Sequence, residues 1–182
     1  MIILCFDTET TGLISNHVLP LDKQPEVIEF ACALVDLKKG KTISTYETLI
    51  KPSQYPMNDF VIKDTKTKLS NDLLSDAPTF AKVANGIRSR LEDAPYVLAH
   101  NASFDREMID LEYERIDPRK PIVWPRTICS VEQTAHLKGK RMNLSDLHLE
   151  LTGKTFEDAH RAGADVAALV RIALALFKKG LL

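Results

Sequence analysis

The chain has 182 residues, 45% of them hydrophobic, enough for one well-buried core and short for two, so a single domain spanning residues 1–182 is expected. Its 24 basic and 25 acidic residues leave a formal charge of −1, which excludes a uniformly basic surface; a polyanion would have to be gripped locally. Apolar runs such as Ile2 to Phe6 fall far short of the roughly 20 residues of a membrane span, and the start lacks the basic region and cleavage site of a secretory signal. A cytoplasmic protein without a membrane partner is therefore expected. Cys5, Cys32 and Cys129 are scattered, odd in number and in no CxxC arrangement, which predicts reduced buried thiols and argues against a disulfide framework or a zinc site.

In chain order, Ile2 to Phe6 is apolar without alternation, as in a central strand covered on both faces, and it leads directly into Asp7-Thr8-Glu9-Thr10-Thr11-Gly12. A polar loop from Ser15 to Pro25 precedes a second strand from Val27 to Leu37. Lys38 to Lys41 reads as a hairpin turn, and Thr42 to Ile50 as a third strand. Lys51 to Asp76 is polar, interrupted by Pro52 and Pro56, and suits short helices; Pro78 to Leu91 carries apolar residues at helical spacing. Tyr96 to His100 is a short buried strand, followed by a helix that Ser103 can cap, with a stripe of Phe104, Met108 and Leu111. Ile122 to Trp124 suggests a fifth strand. Helices are expected over Cys129 to Leu137, over Asn143 to Leu151 with Gly153 closing it, and from about Ala162 to Lys178. A three-strand meander followed by strand–helix alternation indicates an α/β fold with a mixed sheet of five strands.

Two residues apart on a strand, Asp7 and Glu9 leave the same face and converge. Paired anions there are tolerable if a cation neutralises them, and all-oxygen ligands suit Mg²⁺ or Mn²⁺; the alternative is a pair of exposed loop acids or helix caps. Asp165 precedes Leu169, Ile172 and Leu176 on the inner stripe of the last helix, so it needs a cation, an arginine or a backbone amide. His160 lies five residues earlier, about 140° away on a regular helix, so both can serve one site only if His160 sits in an irregular turn before the helix, where Asp158 is a cap candidate. Such an exposed histidine can accept a proton near neutral pH; otherwise it is a surface histidine near a helix start. The segment Arg115 to Arg141 holds seven basic residues against two acidic ones, either a phosphate-facing rim or a solvated run.

The segments FDTETTG (Phe6 to Gly12), HNASFD (His100 to Asp105) and HRAGAD (His160 to Asp165), in this order, closely resemble the three motifs of the DnaQ-like, DEDDh 3′–5′ exonucleases, a family that includes proofreading subunits of bacterial replicative polymerases. The resemblance spans Ile2 to about Leu176. It implies a ribonuclease H-like fold, with Asp7, Glu9, Asp105 and Asp165 holding two divalent cations and His160 as general base. It further implies that Thr8, Thr10, Gly12 and Leu13 line the terminal nucleotide, Leu13 as a wedge, and that Asn101 and Phe104 shape the pocket. The implied partner is a nucleic acid 3′ end, single-stranded DNA first and RNA as the alternative, with a DNA polymerase as a further partner. One departure stands out: where many relatives carry His-Gly-Ile, this chain reads Lys66-Thr67-Lys68-Leu69-Ser70. Gly163, inside the third motif, is an unusual helix residue suited to close backbone packing.

Overall fold

The computed structural model describes residues 1–14, 17–58, 61 and 69–182. Ser15 and Asn16 of the expected polar loop, and Lys66 to Lys68 of the departing segment, lie outside the described residues. Five strands, β1 (Ile2–Thr10), β2 (Val27–Asp36), β3 (Lys41–Leu49), β4 (Tyr96–Ala99) and β5 (Arg126–Cys129), form one sheet in the order β3-β2-β1-β4-β5. The first three pair antiparallel, whereas β4 and β5 run parallel to β1, as the meander followed by strand–helix alternation implied. Among the described residues the α-helices are α1 (Asn71–Leu74), α2 (Phe80–Glu92), α3 (Ala102–Ile116), α4 (Ser130–Lys138), α5 (Leu144–Thr152) and α6 (Ala162–Lys178).

β1 lies at the centre and its side chains alternate between two cores. Leu4 and Phe6 join Ile87, Met108 and Ile109 under α2 and α3, whereas Ile3 and Cys5 join Ala31, Val166 and Leu169 under α6. Continuous apolarity was thus the signature of a strand buried on both faces. The hairpin between β2 and β3 turns where expected: Asp36 Oδ1 accepts from the amides of Lys38 (3.0 Å) and Lys39 (3.2 Å), and Gly40 supplies φ +62°. Cys5 and Cys32 are buried and Cys129 is partly so, all three as free thiols.

Four local expectations need correction. β1 continues past Phe6 to Thr10, because β2 offers it ladder partners as far as Thr10↔Val27. The fifth strand is Arg126–Cys129 and not Ile122–Trp124; Pro121 and Pro125 flank the latter, and only the later segment aligns with Tyr96–Ala99. Ser103 does not cap α3. Asn101 holds that position in the left-handed region (φ 70°, ψ 49°), which an asparagine tolerates better than most residues. The buried stripe of α3 is Ala102, Asp105, Met108, Ile109, Glu112 and Tyr113, with Phe104 and Leu111 only at its margin. Apolar spacing missed this because two carboxyl groups sit in the stripe, each with a partner: Asp105 is hydrogen-bonded to Thr8, and Glu112 is hydrogen-bonded to the Val27 amide (2.8 Å) and ion-paired with Arg115 (3.0 Å). No described helix is long and apolar enough to cross a membrane.

Candidate active site

The alternation that sorts the core also sorts the acids. Beyond Phe6, Asp7 and Glu9 continue the row of Ile3 and Cys5 toward α6, and Thr8 continues the row of Leu4 and Phe6 toward α3. Asp105, in the first turn of α3, accepts two hydrogen bonds at Oδ1, from the Thr8 amide (3.0 Å) and the Thr8 hydroxyl (2.8 Å). Asp165, in the first turn of α6, accepts at Oδ2 from the backbone amide of His160 (3.2 Å). The backbone amide foreseen as a partner for Asp165 is therefore present, and it belongs to the histidine of the same motif.

His160 sits outside the helix, exposed, with φ +68°, in an irregular segment that also places Asp158 at φ +59°. Asp158 is not the cap of α6; that position is Arg161, extended at φ −130°, with no side-chain cap bond. The left-handed turn removes the 140° offset of a regular helix, and ligand atoms of Glu9, His160 and Asp165 all lie within 4.8 Å of one another. Asp7 and Asp105 lie outside that trio but share its electrostatics. Loss of water holds the Asp7 carboxyl well above the usual carboxylate range, reinforced by the charges of Asp105, Asp165, Glu9 and Glu29. Burial, then Asp165 and Glu29, push Glu9 up to about 8, and burial pushes Asp105 up to about 7 against the opposing Thr8 hydrogen bonds.

Three carboxylates held above their usual range, with the charge of Asp165 among the causes for each, mark a site short of positive charge. Arg161 acts on Glu9, but its guanidinium is held by Glu29, with Nη2 2.7 Å and Nε 3.1 Å from Oε1. Glu29 is fully buried and also accepts from the Ala162 amide (2.8 Å), so the pair pins the start of α6 to β2. Hard oxygen donors at this density, with one imidazole beside them, fit a divalent cation such as Mg²⁺ or Mn²⁺. Sequence reasoning missed the Glu29–Arg161 pair. Its signal was available: Glu29 is the one charge inside the apolar run Val27 to Val35.

The other expected residues make contacts of their own. Thr10 donates its hydroxyl to the Gly12 carbonyl (2.8 Å) and the Thr8 hydroxyl is bound to Asp105, so both shape the strand end. Gly12 and the exposed Leu13 line a cleft of about 350 Å³, opposite Pro52, Met57 and Asn58. Phe104 is half-buried against the α3 core, and Asn101 Oδ1 accepts from Arg141 Nη2 (3.0 Å). His100 is held by Ser130 (2.8 Å), and burial lowers its pKa to about 4.

The basic segment is not one continuous rim. Arg115 turns inward to the carbonyls of Leu21, Gln24 and Pro25, Arg119 and Lys120 pair with Asp117, and Lys138 pairs with Glu150. Local carboxylates and carbonyls claim these charges, and Arg141 alone of the seven touches an expected site residue among the described residues.

Fold and acidic floor together define a ribonuclease H-like nuclease domain of the DnaQ-like type. The chain belongs to the RNase_T exonuclease family, whose model matches residues 4–173. Among curated proteins, the PolC-type DNA polymerase III of Staphylococcus haemolyticus is 35% identical over 111 residues, and that of Staphylococcus saprophyticus 39%. The matched segment covers 61% of this chain and 7% of either polymerase. Among solved structures, Exonuclease X in complex with 5′ overhanging duplex DNA superposes with a TM-score of 0.70 at 19% identity, covering 98% of this chain and 93% of that one. The nuclease domain of 3'hExo, a DEDDh family member bound to rAMP, superposes with a TM-score of 0.76 at 19% identity, covering 99% and 93%.

Proposed function

We propose that this chain is a 3′–5′ exonuclease that releases nucleoside 5′-monophosphates from DNA ends, with Asp7, Glu9, Asp105 and Asp165 holding two divalent cations and His160 as general base. The observation that carries the reading is the convergence of three distant segments: Glu9, His160 and Asp165 within 4.8 Å, and Asp105 close enough to Asp7 to raise its proton affinity. Bound Mg²⁺ or Mn²⁺ would neutralise the phosphate and acidify the attacking water. The protein's own part is positional. The carboxylates hold the cations, His160 takes a proton from the water that attacks phosphorus, and the penultimate 3′ oxygen leaves with the shortened strand. Leu13 and the cleft beside it receive the terminal nucleotide, with Phe104 and Asn101 closing the opposite side.

DNA is preferred because the curated relatives are DNA polymerases and are more than 30% identical across the matched segment. The same relatives support association with a polymerase, in proofreading or end trimming. An exoribonuclease is the second reading, favoured by the structural neighbour bound to rAMP. Matched 5′-labelled DNA and RNA oligonucleotides, digested side by side with Mg²⁺ or Mn²⁺, decide between them. A ladder shortening from the 3′ end, with 5′-monophosphates released and chelator stopping the reaction, is the expected result. Internal cutting, or activity indifferent to chelator, overturns it.

A further inference from the structure

The proposed base sits on a segment of unfavourable backbone. Between α5 and α6 the chain passes through three left-handed residues, Gly153 (φ +69°), Asp158 (φ +59°) and His160 (φ +68°). For the two non-glycine residues this region is sterically unfavourable and persists only where neighbouring structure holds it. One buried side chain meets this segment from the helices on either side of it. His148, on α5, is 2% exposed. Its Nδ1 lies 2.8 Å from the Lys154 carbonyl, its Nε2 lies 2.7 Å from Arg171 Nε on α6, and its ring meets Phe156 edge-on at 5.2 Å.

The chemistry of the two partners fixes the tautomer. An arginine only donates, so Nε2 accepts; the ring proton is then on Nδ1, where it donates to the Lys154 carbonyl. Thr152 closes the arrangement, its hydroxyl donating to the His148 carbonyl (2.7 Å) and lying 3.4 Å from Nδ1. The imidazole thus ties two helices to the first residues of the segment that ends at His160. We propose that His148 is a positioning residue: by holding Lys154 and Phe156 it sets the path that presents His160 to Glu9 and Asp165. This rests on the reading of His160 as general base.

The two contacts can be separated by substitution. In His148→Asn the amide nitrogen stands near the former Nδ1 and keeps the bond to Lys154, but does not reach Arg171. In His148→Gln the terminal group stands near the former Nε2 and keeps Arg171, but not Lys154. The full chain is assayed for kcat and KM on a 5′-labelled oligonucleotide with Mn²⁺, and separately for amide exchange from Lys154 to His160, with Tm followed for each variant. Expected for His148→Gln are a kcat loss of about tenfold, the worth of one hydrogen bond, with KM little changed, and exchange faster by about the same factor. His148→Asn is expected to restore both. Equal losses in the two variants tracking Tm would reduce His148 to packing, and unaltered exchange in His148→Gln would also overturn the proposal. If the unmodified chain digests no nucleic acid, the exonuclease reading fails by itself, and the exchange arm still decides whether His148 holds the segment.

Discussion

The carboxylate floor and the histidine segment serve one proposed reaction but are built in opposite ways. Asp7 and Glu9 stand on the central strand, and Asp105 and Asp165 in the first turns of two helices packed on it. His160 stands on an exposed, irregular stretch with left-handed backbone. The contrast has a physical logic. Metal ligands must hold their spacing against mutual repulsion, which only regular, buried elements can do. A base that exchanges protons with water has to be wet, and a loop supplies that exposure.

That division predicts a ranked set of losses. Removing a ligand from the floor should be most severe: Asp7→Ala is expected to lower kcat by about 10³-fold or more, the equivalent of about 4 kcal/mol of lost charge stabilisation, with the circular dichroism spectrum unchanged. Removing the base should cost less, about 10²-fold in kcat for His160→Ala, while calorimetry still detects cation binding. A turnover equal to that of the parent protein would mean that another group takes the proton.

The pH response sharpens the comparison, because the floor stores protons. Glu9 at about 8 and Asp105 at about 7 lie above ordinary carboxylates, so between about 4.5 and 8 the cation-free folded state binds more protons than the unfolded chain. Stability from these groups is complete below that window and is lost as pH rises through it. With chelator present, Tm should fall by roughly 5 °C or more from pH 5 to pH 8, and saturating Mn²⁺ should abolish the fall. A flat profile with chelator would contradict the crowding of these acids. The smallest effect concerns the join between the two regions. Arg161→Ala strands the buried Glu29, and because Arg161 is 32% exposed the expected loss is about 2 kcal/mol, below that of a fully enclosed pair, read from urea unfolding.

Both regions differ as well in how far the amino-acid order revealed them. The sheet was legible because burial on two faces leaves Ile2 to Phe6 without alternation, and the limits of α6 because its stripe is regular from Ala162 to Lys178. Asp7 and Glu9 were legible at the end of an apolar strand and Asp165 inside an apolar helix stripe, whereas Asp105 was legible only through the resemblance of its motif. What escaped depended on contacts distant in sequence. Glu112 in the α3 stripe makes sense only once the Val27 amide and Arg115 are beside it. The basic run from Arg115 to Arg141 looked like a surface because sequence does not say that Arg115 turns toward the carbonyls of another loop. His148 carried no signal in the sequence, which does not say that it meets Arg171, 23 positions away.

Gly163 links the sheet's margin to its centre. A methyl group there would collide with the carboxylate of Glu47, which sits on the outermost strand and lies 3.7 Å from Arg161. The bare glycine leaves room for that carboxylate beside the opening turn of α6, and because the carboxylate ends a flexible, half-exposed side chain, an alanine at 163 would swing it aside without moving the helix that bears Asp165. Position 47 therefore governs how readily a larger residue could stand at 163, through the reach of one carboxylate and not through the backbone.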